Sequence, residues 1–550
     1  MNMRIYPFIV MIICLVACTN PSSEYWKPYD ETAELQANQT HENQRMQFQL
    51  IQSKLLDKND LWVTYEKALN RFGEDQYQAL KPLIIEQDIP TLQSHIKSGL
   101  LSYEKLTLFY LYRIRKLESD PNTTLHAILA LNPKVIEQAK AKDRQKNTQQ
   151  HLIFGMPILL KDNINTQDMP TTAGAAFLQS HVPDNDAYIV SQLQANGALI
   201  LGKVNLSEWA YYFCDGCPLG YSAVGGQTLN PYGRKVFESG GSSSGSGVAV
   251  AANYAVAAIG SETSGSILSP SGHNAVVGCK PTIGLVSRTG IVPISSTLDT
   301  AGPMTKNVID NAILLNAMQG KDASDPSTTK APDQIGDYIV ASQNRSISAY
   351  RLGAIKSLVK TDSLYRKAIS TLRSNGATVV EFDPPNIEFE GFLSLLNKEM
   401  KNYLPNYFST QSNQNFADDN VQSVVAFNQQ DSLLRMPYGQ GRLMGVIEED
   451  ITDEELKTVI DKLHQSGISF FREPMMTYNL DAVLTINNYH AAHAAVAFYP
   501  CLTVPMGYTD QGEPKNLTFV AESFTEPKLY ALGAAYENLT LHRQLPKGYE

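Results

Sequence analysis

The amino-acid sequence predicts an α/β fold, in which helices cover both faces of a mixed central β-sheet. Short apolar runs alternate with segments of helical periodicity over residues 155–204 and again over residues 351–383. Such alternation is typical of sheets whose strands are connected through helices. The composition agrees, since 43% of the 550 residues are hydrophobic and 18% are charged, as in globular proteins with a large core.

The first predicted elements are two helices and two strands. Residues 98–119 place apolar side chains at helical spacing, which predicts an amphipathic helix with one buried face. Residues 155–164 form a short apolar run that ends in polar residues, as a buried strand does before a loop. Residues 187–196 predict a helix that ends at Gly197, and residues 198–204 predict the next strand.

The later elements repeat this alternation. Residues 247–261, "GVAVAANYAVAAIGS", predict a helix followed by a buried strand. Residues 351–383 predict a further strand–helix–strand unit, and residues 395–404 predict an amphipathic helix. The polar stretches 321–344 and 405–432 are predicted to be loops or insertions within one domain.

The N-terminus predicts an export signal. A single arginine precedes an apolar run over residues 5–17, which is short for a membrane span and ends at Cys18. The pattern resembles a bacterial lipobox, in which Cys18 is lipidated, and the alternative is an ordinary signal peptide that contains a cysteine. We therefore predict a lipoprotein signal peptide over residues 1–18 and an exported protein that faces the periplasm and is held at the membrane only by this lipid. Residues 19–85 predict a tether and a helical N-terminal extension.

Charge and the spacing of cysteines and histidines argue against nucleic-acid binding and against a metal site. The chain has 45 basic and 55 acidic residues, a net charge of −10 and no basic stripe, so nucleic acid is not an expected partner. Cys214 and Cys217 form a CxxC pair without a second pair of ligands at zinc spacing, which leaves a local disulfide or two free thiols. His490 and His493 are three residues apart but have no third ligand nearby, so a metal site is not expected.

Two Gly/Ser-rich stretches, "ESGGSSSGSG" from Glu238 and "GSETSGSI" from Gly260, flank an apolar run. Turns of this composition expose backbone N–H groups that can bind a phosphate or the oxyanion of an acyl-transfer intermediate. The lysine of a phosphate-binding loop is missing, and the first stretch does not read as the strand–turn–helix elbow of an α/β-hydrolase. A serine nucleophile needs a base, and Lys161 is the candidate because burial at the end of the apolar run "PILL" would lower the pKa of its ammonium group.

Three motifs together resemble the amidase signature family. They are "GMPILLKDN" with Lys161, the Gly-Gly-Ser-Ser loop that begins at Gly240, and "GSETSGSI". The resemblance covers roughly residues 87–546 and implies a single large amidase-signature domain over residues 86–550.

The resemblance also implies the site residues. Ser266 corresponds to the nucleophile, Ser242 to a bridging serine in a cis peptide, and Lys161 to the base. The oxyanion hole corresponds to the backbone N–H groups of Thr263, Ser264, Gly265 and Ser266. The implied reaction is hydrolysis of an amide through an acyl-enzyme, with release of ammonia or an amine and with no metal or cofactor.

The sequence departs from the family at three positions near the site. Ser244 and Ser264 replace glycines and Leu268 replaces an arginine, which bears on the substrate rather than on the chemistry. The motif wording is most similar to bacterial peptide amidases, so a C-terminal peptide amide or a related small amide is the expected substrate. Three alternatives remain: a lipid or fatty-acid amide hydrolase of the same family, the glutamine-hydrolysing subunit of a tRNA amidotransferase, and a non-catalytic lipoprotein binding module. The export signal argues against the amidotransferase subunit, whose partners are cytosolic.

Four further residues border the motifs. Asp162 and Asn163 follow the lysine and are expected to position it or its loop, or to form an ordinary strand-end turn. Arg288 and Asp299 are expected to take part in a buried structural ion pair rather than to contact substrate.

Overall fold

The computed structural model describes residues 24–145, 150–333 and 335–550. The predicted signal peptide and the predicted lipidation site, Cys18, lie outside the described residues. No helix in the described residues combines the length and the apolar character that crossing a membrane requires.

The strands of the described residues form one large sheet and one small one. In chain order they are β1 (Ile128–Leu131), β2 (Pro157–Lys161), β3 (Leu199–Val204), β4 (Tyr221–Ser222), β5 (Gly226–Gln227), β6 (Ala257–Glu262), β7 (Val277–Lys280), β8 (Thr300–Thr305), β9 (Arg351–Ile355), β10 (Thr378–Phe382), β11 (Ala482–Ile486), β12 (Cys501–Tyr508) and β13 (Pro514–Val520).

The α-helices are α1 (Thr32–Asn38), α2 (Glu66–Ile84), α3 (Ile89–Lys97), α4 (Tyr103–Glu118), α5 (Val135–Asp143), α6 (Tyr188–Ala195), α7 (Ser244–Ala251), α8 (Leu268–His273), α9 (Val308–Met318), α10 (Tyr338–Ala341), α11 (Lys356–Thr361), α12 (Ser363–Ser374), α13 (Phe392–Thr410), α14 (Val421–Gln429), α15 (Ser432–Arg435), α16 (Gly441–Glu448), α17 (Asp453–Tyr478), α18 (Ala491–Val496) and α19 (Glu526–Thr540). Short 3₁₀ helices occupy Gln44–Met46, Lys58–Leu61, Ala176–Leu178, Glu208–Tyr211, Pro326–Lys330 and Gln414–Phe416.

The large sheet is mixed, as predicted. Its order is β1-β3-β2-β6-β8-β7-β12-β13-β11-β9-β10. Strands β3, β2 and β6 run parallel to one another, and β11, β9 and β10 form a second parallel group. The pairs between these groups, and the pair of β1 with β3, are antiparallel.

Helices flank the sheet and bury its apolar residues, which confirms the predicted α/β fold. Helix α7 packs on β6, α9 on β8, and α19 on β12. A second apolar core lies between α13, α14, α16, α17 and the segment 209–217, and we call this part of the molecule the helical cap. Cys214 and Cys217 are buried there and form a disulfide, the first of the two alternatives that the sequence left open.

The stretch 405–432, predicted to be a loop or an insertion, is largely helical. Helix α13 continues through Pro405 to Thr410, and α14 follows within the stretch 405–432. The composition of this stretch is polar because much of each helix faces solvent, while Tyr407, Phe408 and Val424 are buried.

Candidate active site

Lys161 is the last residue of β2 and is fully buried. The strand lies between β3 and β6 and runs parallel to both. Ligands of open α/β sheets bind at the carboxyl ends of such strands, which is where Lys161 lies. The Lys161 ammonium lies 2.7 Å from Ser242 Oγ, 2.9 Å from Ser261 Oγ and 3.0 Å from the Ser261 carbonyl oxygen. Burial lowers the pKa of Lys161 to about 7, although the charges of Asp299 and Glu262 act in the opposite direction.

Ser242 approaches the lysine from the loop that leads into α7. It is fully buried and follows a cis peptide bond from Gly241. Its carbonyl oxygen accepts a hydrogen bond from the Ser207 backbone N–H at 3.0 Å. The next residue, Ser243, donates from its hydroxyl to the Ser261 carbonyl at 3.0 Å, which fixes the loop to the end of β6.

Ser266 lies in the turn that joins β6 to α8. Gly265 before it has φ +88°, a conformation that favours glycine, and Ser266 itself is half-buried and therefore open to solvent on one side. The Glu262 carboxylate accepts hydrogen bonds from the backbone N–H groups of Ile267 (2.7 Å) and Leu268 (3.0 Å). The Glu262 carboxylate thus fixes the turn to the first residues of α8.

The backbone N–H groups of residues 263–266 do not donate to any other residue in the described part of the chain. The Thr263 hydroxyl donates to Asp299 at 2.5 Å, which fixes the start of the turn. A turn with several unpaired N–H donors beside a serine hydroxyl can stabilise the oxyanion of an acyl-transfer intermediate. This arrangement is consistent with the role that the sequence predicts for these four residues.

The structure joins the three predicted catalytic residues in two different ways. Lys161 and Ser242 are in direct hydrogen-bond contact. Ser242 and Ser266 are linked through the backbone, because the Ser243 N–H donates to the Ser266 carbonyl at 3.1 Å. No hydrogen bond between the Ser242 and Ser266 hydroxyls is found in the described structure, so the proton transfer between them stays a prediction.

Comparison with known proteins identifies the family. A sequence model of the family described as Amidase matches residues 105–530. The chain belongs to the amidase family. A "probable amidase" of Arabidopsis thaliana is 35% identical over 480 residues, which are 84% of this chain and 92% of the relative.

Solved structures of amidases are also similar. An amidase family protein from Bacillus anthracis is 36% identical, with a TM-score of 0.86 over 90% of this chain and 99% of that chain. The native peptide amidase from Stenotrophomonas maltophilia is 37% identical, with a TM-score of 0.78 over 84% of this chain and 98% of that chain. The protein is therefore a hydrolase of carbon–nitrogen amide bonds, in a single large amidase domain.

The neighbours of the amidase site differ in part from expectation. Arg288 forms its ion pair with Asp325 (2.6 Å), not with Asp299. Asp299 is instead held by Thr263 and by the backbone N–H groups of residues 294 and 295. Burial raises the pKa of Asp299 to about 6.

The two residues after the lysine have separate roles. Asp162 lies 3.1 Å from the buried Lys203 ammonium and accepts hydrogen bonds from Thr172, so it anchors the neighbouring loop. Asn163 is linked to the lysine through Ser261, because its Nδ2 donates to Ser261 Oγ at 2.9 Å.

Sequence reasoning missed Ser261 as a site residue. Its hydroxyl and carbonyl both contact Lys161, and its hydroxyl also contacts Asn163. Ser261 lies within β6, and the parallel pairing of β6 with β2 brings it beside Lys161, a contact between distant segments that the sequence does not show.

His490 and His493 lie at the start of α18, with ring centroids 5.2 Å apart. Burial lowers the pKa of both, that of His493 to about 4. Across the described ranges, no group of three His, Cys, Asp or Glu side chains is arranged to hold a metal ion.

Proposed function

We propose that this amidase works through a Ser–cis-Ser–Lys relay with an acyl-enzyme intermediate. Neutral Lys161 accepts a proton from Ser242, which accepts one from Ser266 as Ser266 Oγ bonds to the amide carbon. The observation that carries this proposal is the 2.7 Å contact between Lys161 Nζ and Ser242 Oγ, both fully buried. A lysine base must be neutral to act, and the lowered pKa of Lys161 supports that state near neutral pH.

The two halves of the reaction use the same groups. In the first, the carbon–nitrogen bond breaks and the relay returns a proton to the leaving nitrogen, which departs as ammonia or an amine. In the second, water attacks the acyl-enzyme, gives its proton to the relay and releases the carboxylic acid while Ser266 is restored. The backbone N–H groups of residues 263–266 stabilise the negative oxygen in both steps.

The proposed substrate is a C-terminal peptide amide or a related small amide. The support is the 37% identity to the peptide amidase from Stenotrophomonas maltophilia over most of both chains. Leu268, which replaces the arginine of the family pattern, is buried and apolar, so it offers no charge to a substrate carboxylate.

Ammonia release tests the proposal. C-terminally amidated peptides, free amino-acid amides and a fatty-acid amide are incubated with wild type and with Ser266→Ala. We expect release from the peptide amides and a loss of about 10⁴-fold or more in Ser266→Ala. Ser191→Ala, an exposed serine on α6, is the matched control and keeps full activity. Equal activity of Ser266→Ala and wild type contradicts the relay, and release only from the fatty-acid amide moves the substrate to lipid amides.

We further propose that Cys18 anchors the enzyme to a membrane as a lipoprotein of the periplasm. The support is the sequence pattern of residues 1–18. Wild type expressed in a Gram-negative host should fractionate with membranes, and Cys18→Ser should be released into the soluble fraction. Unchanged membrane association of Cys18→Ser contradicts the anchor.

A further inference from the structure

A small cavity lies beside Ser261, whose hydroxyl is 2.9 Å from the Lys161 Nζ. It has a volume of about 10 Å³, and its polar lining includes Asn163, Ser261, Thr263 and Asp299. A cavity of roughly 10–15 Å³ can hold one water molecule when two to four polar groups face it. The volume of the cavity is at the lower end of this range, and these four polar side chains lie in its wall.

The hydrogen bonds of Ser261 are incomplete without a group in this cavity. Ser261 Oγ lies 2.9 Å from Lys161 Nζ and 2.9 Å from Asn163 Nδ2. An amide nitrogen only donates, so Asn163 occupies one lone pair of the hydroxyl. The hydroxyl proton must then point either at Lys161 or into the cavity. Asn163 Oδ1 is also buried and has no partner within the described residues.

The direction of this proton matters to the relay. A neutral lysine has two N–H donors and one lone pair. One N–H of Lys161 is committed to the Ser261 carbonyl, which can only accept. The lone pair and the other N–H are left for the Ser242 and Ser261 hydroxyls. If Ser261 donates to the lone pair, Lys161 has no site to accept the proton of Ser242.

We propose that the cavity binds one water molecule, which accepts the Ser261 hydroxyl proton and donates to Asn163 Oδ1. Asn163 and this water then keep the Ser261 proton away from Lys161, so the lysine lone pair stays directed at Ser242. Asn163 is thus a positioning residue that acts through Ser261. This inference rests on the proposed relay.

Two charges act on Lys161. Glu262, which follows Ser261 on β6, and Asp299, which accepts a hydrogen bond from Thr263, both raise the pKa of the lysine. Arg288 lowers the pKa of Asp299, and Asp162, the residue after Lys161, is paired with Lys203. Replacement of Asn163 by an apolar residue changes none of these charges. A change in the pKa of Lys161 in such a variant therefore comes from hydrogen bonding or from the loss of the amide dipole, and the Ser261→Ala background described below distinguishes the two.

The test compares wild type with Asn163→Leu, which removes both amide groups. The readout is the rate at which a fluorophosphonate labels Ser266, measured from pH 5 to pH 9, because this reaction needs the relay but no natural substrate. We expect the plateau rate to fall about tenfold. We also expect the acidic limb to move to lower pH, because a hydroxyl that donates to the neutral amine favours the neutral form.

Two comparisons make the test specific. Asn165→Leu is the matched control, a buried asparagine of the same loop that bonds to Gln411 and Tyr407 instead. In Asn165→Leu, the acidic limb of the labelling-rate profile should lie at the same pH as in wild type. In a Ser261→Ala background, Asn163→Leu should cause no further change, because the proton that it releases is gone.

Several outcomes overturn the inference. They are an unshifted acidic limb in Asn163→Leu, an equal shift in Asn165→Leu, and a full additional loss in the Ser261→Ala background. If Asn163→Leu does not fold, a high-resolution crystal structure of the wild type decides: ordered density within about 3 Å of Ser261 Oγ and Asn163 Oδ1 is expected, and an empty cavity overturns the proposal. A wild type that the probe does not label contradicts the relay itself, which separates the two failures.

Discussion

Lys161 and Lys203 are buried on neighbouring parallel strands but in different settings. Lys203 lies beside the Asp162 carboxylate at 3.1 Å, whereas the three partners of Lys161 are neutral oxygens. Neutral dipoles compensate a buried ammonium less than a carboxylate does, so burial lowers the pKa of Lys161 to about 7. The proposed base therefore lowers the stability of the fold while it is charged.

This cost predicts a pH-dependent stability. A lysine in the unfolded chain has a pKa of about 10.4, whereas burial lowers the pKa of Lys161 in the folded protein to about 7. Between these values the unfolded chain binds more protons, so wild-type stability rises with pH by up to about 1.4 kcal/mol per pH unit from this group. Lys161→Met lacks this contribution. The unfolding free energy of the variant minus that of wild type should therefore fall between pH 7 and pH 10, as measured by urea denaturation.

The control for this prediction is Lys97→Met, which replaces an exposed lysine of α3. Its difference from wild type should not change with pH. A difference that is constant with pH for Lys161→Met as well would show that this lysine titrates normally in the folded protein.

Asp299 also affects the pKa of Lys161. Its charge raises the pKa of Lys161, which opposes the effect of burial. Asp299→Asn preserves the size of the side chain and removes the charge, so the pKa of Lys161 should fall below about 7. The acidic limb of the pH–rate profile for ammonia release should move to lower pH by about half a unit or more. Asp383→Asn, an exposed carboxylate in a surface ion pair, should leave the limb in place, and a shift to higher pH in Asp299→Asn would contradict the prediction.

At the scale of elements, the site depends on the turn between β6 and α8. A Cβ atom on Gly265 would lie 3.1 Å from Asn488 Nδ2 and 3.4 Å from the Ala491 Cβ, and its φ of +88° disfavours other residues. Gly265→Ala should thus displace the turn by a few tenths of an ångström and misdirect its N–H donors. We expect kcat to fall roughly 10²-fold, as for loss of one oxyanion donor. The measurement is ammonia release by the purified variant.

Gly99→Ala is the control that separates the backbone strain of Gly265→Ala from the displacement of its turn. Gly99 has φ +81° with open space around it, so alanine there brings a similar backbone cost without a steric contact. Both variants should lose roughly 1–2 kcal/mol of stability, but only Gly265→Ala should lose activity. Equal activity of the two variants would mean that the turn does not need its present position.

The sequence predicts individual elements well where burial is complete. Every residue of strands β2, β3 and β6 is buried, and the predicted positions of these strands are confirmed. The sequence does not predict which strands become neighbours, since β6 pairs with both β2 and β8 through segments far apart in the chain. For the same reason the partner of Arg288 and the role of Ser261 required the structure, because each depends on a contact between distant segments.

At the scale of the whole molecule, residues 24–62 are packed into the amidase domain. Trp26 and Trp62 are 5% and 1% exposed. The buried Lys58 ammonium lies 3.0 Å from Glu118, at the end of α4, and 4.3 Å from the centre of the Trp26 ring. Removal of one partner from a buried ion pair costs about 3–5 kcal/mol, so this contact ties the N-terminal segment to the body.

These contacts predict that the segment unfolds together with the domain. The chain has three tryptophans, and two of them lie in residues 24–62. In Trp209→Phe, fluorescence therefore reports on the segment, while far-UV circular dichroism reports on the whole fold. We expect the two signals to change at the same urea concentration, because one cooperative unit gives coincident transitions.

Lys58→Met tests whether the ion pair provides this coupling. In the Trp209→Phe background it leaves the Glu118 carboxylate buried without its cation, so the fluorescence midpoint should fall. Lys58→Met combined with Glu118→Gln should recover part of the loss, because the uncompensated charge is gone. If the fluorescence transition of Trp209→Phe alone precedes its circular dichroism transition, residues 24–62 form a separate unit. If the addition of Lys58→Met leaves the fluorescence midpoint unchanged, the coupling comes from the packing of the tryptophans and not from the ion pair.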